Sequence, residues 1–154
     1  MNHALAALAA ELQLAEPQCA PLRLAFGLAC AARVEPMLED ERALAGLQVL
    51  REYVAGAADA ARLQAAVEEL QRVANSHRGS NSIDGSRHAA VSATYAVANA
   101  LAGRALDAAG YAAYATVYSY GGYAVNDPAS FEPEYAWQVD KLRELARDMR
   151  PVSR

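Results

Sequence analysis

Hydrophobic residues recur at intervals of three and four along almost the whole chain, which is the spacing of one face of an α-helix. Prolines, glycines and short polar residues divide this pattern into segments, because they stop or cap helices. The pattern predicts helices over residues 3–13, 20–34, 41–56, 59–77, 86–103, 108–125 and 134–149. We therefore expect an all-α bundle of six or seven helices.

The stretch from Ser86 to Val125 contains two Ala-rich segments that are apolar on nearly every side. A helix without a polar face must be buried among other helices. Small side chains also let helix axes approach closely. This helical hairpin is therefore predicted to form the centre of the bundle.

Three other segments each show one apolar stripe, which we expect to face the core. The stripes comprise Leu44, Leu47, Leu50 and Val54; Leu63, Val67, Leu70 and Ala74; and Tyr135, Val139, Leu142, Ala146 and Met149. Gly56 is placed to end the third helix and Asp59 to cap the fourth.

Tyrosines of the hairpin fall on two faces. Tyr111, Tyr114 and Tyr118 share one stripe and are interpreted mainly as packing residues with their hydroxyls at the domain edge. Tyr120 and Tyr123 point away from that stripe. Because tyrosine is enriched among interface anchors, we interpret these two as candidate partner contacts.

Composition narrows the class of protein. The chain has 154 residues, of which 54% are hydrophobic, and alanine supplies much of that fraction. This length predicts one domain over residues 1–154, with a core over 20–149 and a frayed tail at 150–154. No apolar run is long enough for a membrane span and no secretion signal is evident, so a cytoplasmic protein is expected.

With a net charge of −4, the chain lacks the basic surface of a nucleic-acid-binding protein. A mildly acidic surface is compatible with a basic protein partner. The sequence contains two clusters of acidic residues at predicted helix starts. Their carboxylates are either stabilised there by the helix dipole or serve as anchors for a partner's Lys or Arg. Their members are Glu39, Asp40 and Glu41, and Asp127, Glu132 and Glu134.

Candidate catalytic and metal-binding chemistry is sparse. Cys30 lies in an apolar neighbourhood, which favours a buried and unreactive thiol. The polar loop at 77–88 lacks the spacing and the lysine of a phosphate-binding loop, and its flanking residues His77 and His88 have no metal-ligand set around them. The sequence therefore predicts neither an enzyme nor a cofactor or metal site.

Several segments together resemble a known family. These are the helix with a central Cys30 followed by Pro36, the Ala-rich hairpin, and the Glu-x-x-Trp-Gln element that begins at Glu134. Over roughly residues 22–147 they are similar to the fifth numbered family of immunity proteins from bacterial polymorphic toxin systems and its close relatives. The chain departs from that pattern at Tyr53, where the family often has Trp.

The resemblance implies a small cytoplasmic antidote that binds a cognate toxin domain and blocks it stoichiometrically. The functional residues of such an antidote would form a protein–protein interface and not a catalytic site. Two alternatives remain open at this point. One is a scaffold or adaptor that assembles through the Tyr patch, including as a homodimer, and the other is a small-molecule binder with a Tyr-lined pocket between the central helices.

Overall fold

The computed structural model describes residues 1–76 and 86–149, which form an all-α domain without strands in either range. This confirms the predicted fold class. The seven helices are α1 (His3–Glu11), α2 (Ala20–Arg33), α3 (Glu41–Val54), α4 (Ala60–Ser76), α5 (Ser86–Leu101), α6 (Ala105–Tyr118) and α7 (Glu132–Asp148). Most of the predicted polar loop and the predicted frayed tail lie outside the described residues.

Local sequence signals set the helix ends as predicted. Pro21 occupies the first turn of α2, where its missing N–H has no partner to lose. Gly56 follows α3 with a φ of +82°, a conformation that costs glycine little. The Asp59 carboxylate caps α4 by accepting a hydrogen bond of 2.8 Å from the Arg62 backbone N–H.

The hairpin of α5 and α6 is central, as the sequence predicts, but α2 shares that position. α5 packs against α2, α3, α4 and α6, and α2 also packs against α6 and α7. Phe26 and Cys30 of α2 are completely buried. α2 and α5 approach closely where a Cβ on Gly27 would lie 3.1 Å from the Ala100 Cα. A side chain at this crossing would press on the α5 backbone, so the close approach of the two helices favours glycine.

Two of the four residues predicted to be buried in α3 are not. Leu44 and Val54 are 36% and 41% exposed, whereas Leu47 and Leu50 are completely buried. The inward face is centred on Ala43 and Leu47. Leu44 falls at the edge of that face, whereas Val54 is the last residue of the helix. Periodicity therefore predicted the correct side of α3, with a stripe that is too wide and too long.

The core face of α6 is made of alanine and not of tyrosine. Tyr111 and Tyr114 are 38% and 47% exposed, while Ala108, Ala109 and Ala112 are completely buried. Because close packing against α5 leaves room only for methyl groups, the rings lie at the rim. The interpretation of this stripe as core packing is therefore wrong for its two exposed members.

The second helix of the hairpin is shorter than predicted. α6 ends at Tyr118, and a 3-10 helix follows over Gly122–Asn126. Gly121, between them, has a φ of +124°, which no α-helical residue adopts. The glycine pair thus breaks the helix and redirects the chain.

Candidate functional site

The candidate site lies on the connection between α6 and α7, residues 119–131, which carries three of the predicted contact residues, and a fourth, Glu132, begins α7. Its two 3-10 helices, Gly122–Asn126 and Pro128–Phe131, turn the chain toward α7. The connection is anchored by two buried side chains, Ala124 and Phe131, which join a small apolar cluster with Val117 of α6. It is therefore a packed segment from which other side chains project.

Tyr120 and Tyr123 are the projecting aromatic residues of the connection. Their side chains are 57% and 79% exposed. The ring of Tyr123 lies against Gly121, where an added Cβ would come within 2.7 Å of the Tyr123 Cε1. Any side chain at position 121 would therefore collide with the ring in this position.

Two predicted acidic residues, Asp127 and Glu132, follow these tyrosines along the chain. Asp127 is exposed and caps the second 3-10 helix, where its carboxylate accepts a hydrogen bond from the Ala129 backbone N–H. Glu132 is exposed in the first turn of α7. Both carboxylates thus stabilise a helix start and still face solvent, and their contact with a partner stays a prediction.

Glu134 does not belong to this exposed acidic group. It is 5% exposed, and its carboxylate accepts hydrogen bonds from Arg33 Nε at 2.6 Å and Nη2 at 2.8 Å. The Arg33 guanidinium also lies over the Trp137 ring, 3.9 Å from its centroid. Since α7 turns this carboxylate inward onto α2, the prediction that Glu134 contacts a partner is withdrawn.

The pair of Arg33 and Glu134 fixes the start of α7 against the end of α2. The hydrogen bond to Glu134 is the main reason that the pKa of Arg33 is raised, so the guanidinium stays charged. The first turn of α7 is therefore held against α2 by a bidentate ion pair.

One turn further along α7, Gln138 makes a second internal link. Its side chain is 1% exposed and donates a hydrogen bond of 2.9 Å to the Ala109 carbonyl of α6. It also accepts one from the Asn2 side chain, which donates a second bond to the Tyr135 carbonyl. The Glu-x-x-Trp-Gln element thus joins α7 to α2, α6 and the N-terminus.

The second predicted acidic group lies elsewhere in the fold. Glu39 and Glu41 are exposed, and Asp40 caps α3 by accepting from the Arg42 backbone N–H and pairing with the Arg42 guanidinium. α3 packs mainly against α2, α4 and α5, whereas the connection packs against α6 and α7. The structure therefore does not join the two acidic groups into one cluster.

A row of aromatic contacts extends from the connection along α6. Phe131 meets Tyr114 edge to face, with ring centroids 5.3 Å apart, and lies 5.5 Å from Tyr135. Tyr114 in turn neighbours Tyr118, which stacks on His88 at 5.1 Å. The helical periodicity of the sequence predicted that Tyr114 and Tyr118 share one face. It did not predict the position of Phe131, which links this row of rings to the connection.

Within the described ranges, no group of three or more His, Cys, Asp or Glu side chains has the arrangement of a metal site. Burial raises the pKa of the Cys30 thiol far above its ordinary value, as expected for an unreactive core cysteine. None of the helices in the described part of the chain is long and apolar enough to cross a membrane.

Comparison with protein families finds a match that covers most of the chain. Residues 22–145 match a family model described as "Imm-5 like putative immunity protein". This span includes Cys30, Pro36, the central hairpin and the Glu-x-x-Trp-Gln element, and it excludes α1. Searches of curated proteins and of solved structures find no match.

Proposed function

Because the chain belongs to the Imm-5 like family of immunity proteins, we propose that it binds a cognate bacterial toxin domain and neutralises it by stoichiometric inhibition. The family match over residues 22–145 carries this proposal. The protein would act in the cytoplasm of the cell that makes it, as an inhibitor and not as an enzyme.

We assign the toxin contact to the α6–α7 connection. Tyr120 and Tyr123 are exposed, and their segment is anchored by buried neighbours, which is the arrangement of preorganised interface anchors. Asp127 and Glu132 add exposed negative charge beside them. A toxin surface with Lys or Arg around an apolar patch would complement this segment.

Glu39, Asp40 and Glu41 have a different role in this proposal. They lie on α3, away from the elements that hold the connection, so we assign them to long-range attraction and not to direct contact. Their charge adds to the net −4 of the chain.

The proposal is tested by co-expression with a candidate toxin, namely the variable C-terminal domain of a neighbouring gene product that carries a long N-terminal delivery region. We expect the protein to restore growth of cells that express this domain and to co-purify with it at one-to-one stoichiometry. Failure of both rescue and complex formation would overturn the immunity function.

The assignment of the connection is tested separately, with the double variant Tyr120→Ala, Tyr123→Ala. We expect the dissociation constant to rise at least about 100-fold, because exposed aromatic anchors dominate interface energy. Leu44→Ala with Val54→Ala is the matched control, since it removes two exposed apolar side chains from α3. Unchanged affinity in a folded Tyr variant would move the interface elsewhere.

A further inference from the structure

One ion pair in the described part of the chain has a nearly buried carboxylate. The Glu134 side chain is 6% exposed, whereas the carboxylate side chains of the other ion pairs within residues 1–76 and 86–149 are 21% or more exposed. Arg33 donates to both oxygens of this carboxylate, and its guanidinium also lies over the Trp137 ring. The guanidinium is therefore fixed in two directions, along its edge and across its face.

The pair of Arg33 and Glu134 links α7 to another helix. The other ion pairs that α7 forms within the described residues join side chains of α7 itself, three positions apart. The buried residues of this helix are Glu134, Gln138 and Leu142, and only Leu142 is apolar. The packing of α7 on its neighbours thus depends on polar groups at two of its three buried positions.

Gln138 provides the second polar link, one turn further along α7. Its amide donates to the Ala109 carbonyl of α6 and accepts from the Asn2 side chain at the start of α1. Hydrogen bonds and bidentate ion pairs require defined distances and angles, whereas apolar side chains can repack. The two polar links therefore fix both the axial position and the rotation of α7.

Stability alone does not account for the pair of Arg33 and Glu134. Replacing a buried ion pair with apolar side chains of similar volume is often neutral or stabilising, because the charged groups lose their hydration when they are buried. The best-attested role of buried ionic and polar groups is to select one register among several packings. The burial and the bidentate geometry of this pair suit that role.

The register of α7 sets the position of the α6–α7 connection. The connection ends at Phe131, and Glu134 lies three residues later, in the first turn of α7. Phe131 is buried in a cluster with Val117 and Ala124, and its ring lies 5.5 Å from that of Tyr135. A slip of α7 by one residue would move it about 1.5 Å along its axis and turn it by about 100°. Such a slip would draw Phe131 out of the cluster and release the connection.

We propose that Arg33 and Glu134 are positioning residues of the toxin-binding surface, which fix the register of α7 and thereby preorganise the α6–α7 connection. The inference rests on the proposed function and deepens it, since it names the groups that hold the exposed Tyr120 and Tyr123 in one arrangement. Neither Arg33 nor Glu134 touches the toxin in this role. A preorganised surface binds more tightly, because its segments are already ordered before association.

The test replaces the pair with apolar side chains, in the double variant Arg33→Met, Glu134→Leu. Methionine keeps a long unbranched stem that packs well against Trp137, and leucine is close to glutamate in volume. The urea midpoint should therefore be unchanged or higher. We expect the dissociation constant for the co-expressed toxin domain to rise at least about ten-fold, because the apolar groups hold α7 without selecting one register.

The matched control is Arg72→Met, Glu69→Leu, which replaces an exposed ion pair within α4 by the same residue types. Both double variants leave the net charge unchanged, so long-range attraction to the toxin stays equal. α4 packs mainly against α3 and α5, whereas the connection packs against α6 and α7. The control should bind the toxin domain within about two-fold of the wild-type protein.

A second measurement needs no toxin. In a two-dimensional amide NMR spectrum, residues 119–131 of the wild-type protein should give one sharp set of resonances. In Arg33→Met, Glu134→Leu these resonances should be broadened or doubled, because the connection then samples more than one arrangement. A role in stability alone would leave them unchanged in a variant that is as stable as the wild-type protein.

The outcomes separate this inference from the proposed function. If the wild-type protein binds the toxin domain and the folded double variant binds within about two-fold of it, the positioning role is overturned and the immunity function stands. Weaker binding with unchanged resonances would show that the pair contacts the toxin itself, which also overturns the positioning role.

If Arg33→Met, Glu134→Leu does not fold, Gln138→Leu decides by the same two measurements, since it removes the links to Ala109 and Asn2. If the wild-type protein neither binds nor protects, the immunity function falls and the positioning role falls with it.

Discussion

At the scale of single residues, the structure depends on a few buried side chains with defined chemistry. Cys30 is completely buried in α2, and burial raises the pKa of its thiol. Cys19 is only half-buried. The two free cysteines therefore differ in their accessibility to thiol reagents.

We predict that Cys30 reacts with thiol reagents only when the protein unfolds. In a Cys19→Ser variant, labelling should be at least about a thousand-fold slower than in the denatured chain, because a core cysteine becomes accessible only through global opening. Mass spectrometry of labelled protein over time measures this rate. Rapid labelling under native conditions would contradict the buried placement of the residue.

The same thiol gives a pH dependence of stability. The unfolded thiol ionises near pH 8.5 to 9, roughly, while the folded one stays neutral, so above that pH the unfolded state binds fewer protons and stability falls as pH rises. The slope from this group approaches about 1.4 kcal/mol per pH unit. Urea titrations from pH 8 to 10, roughly, should show a smaller slope for Cys30→Ala.

The Glu134 carboxylate is predicted to contribute strongly to stability. Glu134→Gln leaves one side of the Arg33 fork without its anionic acceptor, and we expect the free energy of unfolding to fall by about 2 kcal/mol. Glu69→Gln removes the acceptor of an exposed pair with Arg72 and should cost less than about 1 kcal/mol. Equal losses in chemical denaturation would show that burial does not strengthen the Arg33 pair.

The buried polar residues of α7 could not be predicted from the sequence. In the sequence, Glu134 is one more acidic residue at a helix start, and the hydrophobic periodicity does not distinguish it from the exposed Glu132. The buried line of α7 is Glu134, Gln138 and Leu142, so two of its three members are polar. A hydrophobicity pattern cannot identify a buried polar residue, because burial there depends on partners from α2 and α6.

At the scale of elements, glycines mark where helices meet and where they leave space. A Cβ on Gly27 would press on the backbone of α5 at Ala100, whereas a Cβ on Gly110 would enter open space. The two glycines are indistinguishable in sequence, since each lies within an apolar helix.

We predict opposite effects of alanine at these two positions. Gly27→Ala should lower the free energy of unfolding by about 1–3 kcal/mol through overpacking, net of the gain in helix propensity. Gly110→Ala should raise it by about 1 kcal/mol, because alanine is the better helix former and nothing obstructs it. Thermal and urea unfolding of both variants measures the difference, and a shared sign would contradict the packing described here.

At the scale of the whole molecule, one large apolar core connects the helices. It includes residues of α1 to α7, and the cluster beneath the α6–α7 connection forms a smaller neighbour. Trp137, the single tryptophan, packs against the large core at the contact of α7 with α2. Its fluorescence therefore reports tertiary structure, while circular dichroism reports the helices.

We predict that both signals follow one transition in urea, with midpoints that coincide within experimental error, as for a single cooperative domain. A fluorescence midpoint clearly below the dichroism midpoint would show that α7 separates from the bundle before the remaining helices unfold.

Net charge gives a prediction for association. If the toxin is basic, the net charge of −4 accelerates encounter, so raising the salt concentration from about 50 to 500 mM should reduce the association rate about ten-fold and change the dissociation rate less. Stopped-flow mixing measures both rates. An association rate that does not respond to salt would refute electrostatic steering.

The sequence by itself determined the all-α class, a count of six or seven helices, most of their ends and the central place of the hairpin. These features follow from local rules: caps at Asp59 and Gly56, proline in a first turn, and an Ala-rich segment that has no face suited to water. Its distinctive segments also carried the family resemblance, which the match over residues 22–145 confirms.

Only the tertiary structure decided which residues on the α6–α7 connection face solvent, that Glu134 turns inward, and that Gln138 links α7 to α6 and to Asn2. Each of these depends on contacts between residues far apart in the chain. Arg33 reaches Glu134 across 101 positions, and Asn2 reaches Gln138 across 136. Local periodicity contains no information about such pairs, because it records which side of a helix is buried and not what lies opposite.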